Sequence, residues 1–195
     1  SLRGVCLGCE EQIPVWDKVC GECGGKQSAL IASRLDELQQ QLNTAEKLRS
    51  EYGYEAALQI AQGIVAIEDV RLSQHKPFAE EFVNSTKAEW EGEKESARMH
   101  FEESQKHREA FDYTAAIHSI QAIPEPMRSA EVISQLEDLK SNQQESQELL
   151  RTIKDRIKGR DLDGLLAKVD RAVELHGDRD DLRQIQGQLR ERERK

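Results

Sequence analysis

Cys6-Leu7-Gly8-Cys9 and Cys20-Gly21-Glu22-Cys23 hold all four cysteines of this 195-residue chain, as two Cys-x-x-Cys pairs with ten residues between them. Two residues between cysteines let one tight turn present both thiolates to a single ion, and two such turns complete a tetrahedron. The pattern predicts one metal site with Cys6, Cys9, Cys20 and Cys23 as ligands. Gly24 follows the second pair, where such a turn favours a residue tolerant of positive φ. Glu10 stands at the matching place after the first pair, which predicts a slightly different turn there. The residues between carry Ile13, Val15, Trp16 and Val19 and read as a short hairpin folded over the ion, with Trp16 packed on the loop or on the first helix. A segment this short cannot build a sufficient core alone. Metal binding, worth about 10–16 kcal/mol in comparable peptides, is expected to supply its folding energy.

The donor set suits zinc, held structurally; four thiolates also suit iron. Two disulfides would need an oxidising compartment, to which nothing here points. A redox dithiol would leave cysteines over, whereas all four fit one site. A catalytic ion needs an open coordination position, which four protein thiolates do not leave.

Cys6, Cys9, Pro14, Val19, Cys20, Cys23 and Gly24 together resemble the short bacterial zinc ribbon of rubredoxin type, over about residues 4–26. The Pro usual after the first Cys of each pair is Leu7 and Gly21 here. The resemblance implies a structural ion in a module appended to other domains. The RNA-binding zinc finger of similar spacing differs: Ile13 replaces its Asn, and no Trp precedes Cys6. Through Lys26 the segment carries three basic and four acidic side chains, a net of −1, with Trp16 as its one aromatic. A base-stacking or phosphate-binding surface has the opposite composition.

Charged residues make up 33% of the chain and aromatics 5%, so narrow apolar seams between helices are expected in place of one large core. Pro is rare, at 4, which permits long helices. The net charge of −9 argues against the whole chain as an electrostatic nucleic-acid binder and against anionic membrane surfaces. The uncharged run at residues 56–67 is too short and too polar to span a bilayer. No secretory hydrophobic region is present near the start, and a cytoplasmic protein is expected. The first residue is Ser1 and the last six are all charged, which reads as a segment of a longer protein.

Seven helices are expected. Ile31, Leu35, Leu38, Leu42 and Ala45 form one stripe over residues 28–50, and Gly53 breaks it. A second helix covers residues 54–67. A third, residues 78–109 after Pro77, is unusually polar, with Trp90, Ala97, Met99 and Phe101 as its apolar anchors, and part of it is expected to await a partner. Asp112 caps a fourth, to Ile123. Ser129 caps a fifth, to Lys158, whose heptad seam is interrupted by Gln143 and Ser146. A sixth spans residues 162–175, and Asp178 caps a seventh seamed by Leu182, Ile185 and Leu189. Heptad spacing allows a coiled coil or homodimer, but intramolecular hairpins use the same pattern.

One element recurs. Gly53-Tyr54-Glu55-Ala56-Ala57-Leu58, Asp112-Tyr113-Thr114-Ala115-Ala116-Ile117 and, more weakly, Asp161-Leu162-Asp163-Gly164-Leu165-Leu166 each place a large apolar residue and then small and aliphatic ones after a turn. This resembles the start of the second helix in tetratricopeptide repeats. The copies lie 59 and 49 residues apart, however, where that family repeats every 34. The expected fold is therefore mostly α: a zinc ribbon at residues 1–26, then long antiparallel hairpins at 27–195, in an αα-repeat or bundle. A ribbon before such hairpins is similar to the non-catalytic regions of large bacterial serine/threonine kinases of eukaryotic type, which implies an accessory regulatory segment. No kinase motif is in the chain: it has no Gly-rich phosphate loop, His-Arg-Asp or Asp-Phe-Gly.

No catalytic constellation is legible. None of His75, His100, His107, His118 and His176 has Glu three residues before it, and His-Glu-x-x-His is absent. His100, Glu103 and His107 can share a face but read as solvated helix residues. The basic run Arg151 to Arg160 suits the C-terminal end of a helix dipole better than a phosphate contact. The reading is a non-enzymatic protein-interaction or scaffold segment with a protein partner. A zinc-dependent nucleic-acid module is the alternative that charge disfavours.

Overall fold

The computed structural model describes residues 3–177 and 179–194, without the side chain of Arg3. Asp178, the expected cap of the last helix, lies outside the described residues. Among these residues the chain is mostly helical. A two-stranded antiparallel sheet, β1 (Arg3–Val5) and β2 (Gln12–Pro14), pairs Gly4 with Ile13. Seven helices follow: α1 (Gln27–Ser50), α2 (Tyr54–Val65), α3 (Lys76–Glu109), α4 (Tyr113–Gln121), α5 (Ala130–Lys158), α6 (Leu165–His176) and α7 (Asp180–Glu193). No helix is long and apolar enough to cross a membrane. The chain divides into two compact units, residues 1–93 and 94–195, and the division falls inside α3.

In the first unit the α1 stripe does what its period requires. Leu38 and Leu42 are buried with Ile64, Leu72 and Ala79, while Ile31 and Leu35 flank them together with Leu7 from the cysteine segment. Ala45 meets Ala57, Leu58 and Ala61 of α2 and Phe82 and Val83 of α3. Ala57 and Ala61 are fully buried; their small side chains let backbones approach closely. Tyr54 stacks on Trp90 with ring centroids 6.1 Å apart, and its hydroxyl donates to Glu89 Oε1 at 3.1 Å. Between α2 and α3, Asp69 caps a 3₁₀ turn (Val70–His75) by accepting the Arg71 N–H at 2.9 Å.

The second unit holds two clusters. Tyr113, Ala116, Ile117 and Ile120 of α4 pack with Val132, Leu136 and Leu139 of α5, and Ala97 and Phe101 of α3 flank them. Ile153 of α5 packs with Leu165, Val169 and Ala172 of α6 and Leu182 and Leu189 of α7. Both expected caps are made: Asp112 Oδ1 accepts the Ala115 N–H at 3.0 Å, and Ser129 Oγ the Val132 N–H at 3.3 Å. Such caps contribute about 1 kcal/mol each. α6 starts at Leu165, three residues later than the sequence suggests, because Gly164 adopts a left-handed φ of 64° immediately before it.

The recurring element has a common backbone. Tyr52, Phe111 and Arg160 each adopt positive φ, at 63°, 58° and 55°. The next residue then donates its N–H five residues back: Gly53 to Leu48, Asp112 to His107 and Asp161 to Arg156, at 2.8, 2.8 and 2.9 Å. These are Schellman-type stops, and a left-handed residue closes each. Glycine usually takes that place, yet Tyr, Phe and Arg take it here. α1, α3 and α5 thus end in one geometry, and the third copy follows it in spite of its weaker sequence match.

The polar interruptions of the α5 seam are each answered by a partner. Gln143 Nε2 donates to Thr114 Oγ1 at 2.8 Å, and buried Gln135 Nε2 to Ser104 Oγ at 3.3 Å. Ser146 Oγ lies 2.6 Å from His176 Nε2. Burial, and then the charge of Arg179, hold His176 below its ordinary value of 6.5. As pH falls below that value the unfolded chain takes up a proton that the folded chain resists, so stability declines. We expect the urea midpoint of the second unit to drop between pH 7 and pH 5, and His176→Gln to flatten that drop. An unchanged pH slope in the variant would assign the titration to another group.

Candidate metal centre

The sulfurs of Cys6, Cys9, Cys20 and Cys23 all lie within 4.8 Å of one another. Cys6 Sγ is 3.6 Å from Cys23 Sγ, and Cys9 Sγ is 3.7 Å from Cys20 Sγ. All four thiols are free. A tetrahedron with metal–sulfur bonds of about 2.3 Å has edges of about 3.8 Å. The cluster therefore has the dimensions of a four-thiolate cage, and the four cysteines are close enough to bind a metal ion. Among the described residues no other group of His, Cys, Asp or Glu meets this condition. His107 faces Glu103 at 3.4 Å as a helix pair, without His100.

The two turns that carry the sulfurs are alike. Glu10 donates to the Cys6 carbonyl at 2.9 Å, and Gly24 to the Cys20 carbonyl at 3.0 Å. Cys6 donates to the Glu11 carbonyl at 2.8 Å, and Cys20 to that of Gly25 at 3.0 Å. Glu10 has a φ of 62° and Gly24 of 69°. The expectation of a different first turn is thus corrected. Glu10 is held in the left-handed conformation by the same pair of bonds, at a steric cost of about 1–2 kcal/mol that Gly24 does not bear. The expected hairpin within residues 10–19 is also corrected: Ile13 is in β2, which pairs back to β1 across the first turn. That pairing buries Ile13 against Cys6 and Cys20. Trp16, expected to pack, is 63% exposed, and Val19 is exposed beside it in sequence.

The thiols of the cluster differ in how readily they ionise. The Gly8 N–H is 3.4 Å from Cys6 Sγ. It is the largest influence holding the Cys6 thiol down at about 6, against burial, with help from Cys9 N–H and the Gln27 amide. Cys9 shows the opposite result. The Glu11 N–H lowers it, but hydrogen bonds from neighbouring thiols, with burial, push it up to about 12. One thiolate forms readily, and further negative charge at this spacing is resisted. A multivalent cation at the centre removes that conflict, since a coordinating thiol is deprotonated outright.

Three residues that sequence reasoning missed hold this segment on the helices. Gln27, the first residue of α1, donates Nε2 to Cys6 Sγ at 3.1 Å. Leu30, one turn on, lies over both Cys turns: a Cβ at Gly8 or Gly25 would meet its Cδ1 at 3.3 or 3.2 Å. Arg71 is clamped by Asp69, Nε to Oδ1 at 2.9 Å and Nη2 to Oδ2 at 2.5 Å, and donates Nη2 to the Val5 carbonyl at 2.6 Å. The guanidinium holds the Asp69 carboxyl below the usual carboxylate range. Asp69-x-Arg71 is legible as a local ion pair, but its reach to a carbonyl 66 residues away is not.

Ser146 and His176 have the separation of a nucleophile and its base, but Ser146 is buried in the α5 seam. Arg156, in the basic run, is spent on Asp161 and on the Asp163 carbonyl. Comparison with protein-family profiles, with curated proteins and with solved structures finds no match for this chain.

Proposed function

We propose that residues 3–26 form a zinc ribbon whose ion is structural, and that the chain is a non-enzymatic protein-interaction segment. The observation that carries this reading is the contrast within one small module. Four thiols close around a single point, leaving no ligand position for chemistry, while Trp16 stands 63% exposed on the same segment. A large aromatic side chain held out on a rigid staple is the type of anchor that dominates protein interfaces. The common stop geometry of α1, α3 and α5 supports reading the helices as an αα-repeat of long-armed antiparallel hairpins. The acidic balance, −9 overall, favours a basic or apolar partner surface over nucleic acid.

The test has two parts. Purified chain is expected to carry one zinc per molecule, released when a thiol reagent titrates all four cysteines. Trp16→Ala is expected to keep that zinc and to change global stability by less than about 0.5 kcal/mol, as exposed sites do. It is expected to weaken capture of the partner from native extract by about tenfold or more. A variant that captures the same protein as well as wild type does would sink the docking role of Trp16.

A further inference from the structure

We propose that Gln27 is an outer-shell positioning residue of the thiolate cage, setting how tightly the ion is retained and tying that retention to the start of α1. The proposal rests on reading the four-cysteine cluster as a metal site. Gln27 is 2% exposed, although it opens a helix whose flanking residues are polar. Its side chain touches both cysteine turns at once. Nε2 donates to Cys6 Sγ at 3.1 Å and to the Gly25 carbonyl, just beyond the second turn, at 3.1 Å. Oε1 accepts the Leu7 N–H, within the first turn, at 3.4 Å. Its own N–H donates to the Lys18 carbonyl at 2.9 Å, next to Val19 and Cys20. Every polar atom of one side chain is thus engaged with the cage, and none with α1.

Four thiolates around a divalent ion leave a net charge of −2 in a site where Cys6 and Cys20 are buried. That charge must be met by N–H donors. The Gly8 N–H serves Cys6 from within its own turn; Gln27 supplies the donor that comes from outside the loops. Outer-shell partners of this type typically alter metal affinity 10–100-fold. The amide also fixes the relative placement of the two turns, because it bonds both.

Gln27→Glu separates this role from a purely structural one. The shape is kept, and a carboxylate in the first turn of α1 suits the helix dipole, so the helix itself should be unharmed or slightly favoured. Toward the cage the effect is reversed: both donors are lost and a negative charge is set beside the Cys6 thiolate. Gln27→Leu removes the donors without adding charge. With full-length chain titrated with zinc against a competing chelator, we expect affinity to fall about 10–100-fold in Gln27→Leu and further in Gln27→Glu. In cobalt-loaded protein the sulfur-to-metal charge-transfer band should move in both variants. Thermal melts of the metal-free forms should match metal-free wild type. Zinc affinity within twofold of wild type in both variants, with unmoved cobalt bands, overturns the role of Gln27 and leaves the metal site standing. Wild-type chain that takes up neither zinc nor cobalt overturns the metal reading itself, and this role with it.

Discussion

Cys20→Ser is expected to release the ion and unfold residues 3–26 while α2 and every helix after it stay folded. Cys20 is a buried member of the four-cysteine cluster, so the variant takes one thiol from the proposed cage and leaves a hydroxyl against Ile13 and Cys6. The energy at stake is about 10–16 kcal/mol of apparent metal binding in comparable peptides. The segment has nothing to replace it with: its own apolar cluster is Ile13 between two cysteines. The damage should extend one or two turns into α1. There Gln27 and Leu30 lose the turns they hold, and Leu7 no longer flanks the cluster around Leu38 and Leu42. Zinc content and residue-resolved hydrogen exchange check this together. Fast exchange confined to residues 3–31, with most helical circular dichroism retained, is the expected result. Loss of helicity across the chain would show that the cage supports the whole first unit. Treating wild type with a strong chelator should reproduce the variant.

Gly177→Ala is expected to destabilise the second unit by about 2–6 kcal/mol, combining a strained backbone with overpacking. Gly177 follows α6 with φ 66° and ψ −152°, a region essentially reserved for glycine. A Cβ there would lie 2.4 Å from Cε2 and 2.7 Å from Cδ2 of Phe111. Phe111 is itself the left-handed residue that stops α3, and its ring, 40% exposed, can relieve the clash only by leaving this contact. Tyr113, two residues on, is buried and donates its hydroxyl to the Leu175 carbonyl at 2.7 Å, close to the same glycine. The end of α6 is therefore seated on the α3 stop by a ring and a hydrogen bond, with no room for a methyl group between. Urea unfolding checks it, with the zinc content unaltered. A change below about 1 kcal/mol would mean that the ring moves freely, and that the contact contributes little to holding α6.

What was legible in the chain was whatever neighbours in sequence decide. The clustering of the four cysteines follows from their spacing, because a Cys-x-x-Cys turn presents both sulfurs to one side. The stripe of α1 and the caps at Asp112 and Ser129 follow from a 3.6-residue period and from side chains that reach N–H groups three residues on. The recurring helix start was visible in Gly53-Tyr54 and Asp112-Tyr113, whereas the left-handed stop before each, at Tyr52 and Phe111, was not.

Tertiary structure decided the rest. Glu10 takes a glycine's conformation because its N–H donates to the Cys6 carbonyl while the Cys6 N–H donates to the Glu11 carbonyl, a constraint its own side chain does not announce. Trp16 is exposed in the turn after β2, while the single buried side chain of β2, Ile13, packs on the sulfurs. Gln27 and Arg71 read as ordinary polar residues until the fold sets them against Cys6 and Val5. Sequence by itself determined that four cysteines would cluster at one point and that helices would follow, since both are matters of local spacing. Which side chains support that centre from outside, and which aromatic it leaves in solvent, depended on contacts between residues far apart in the chain, and only packing brings those together.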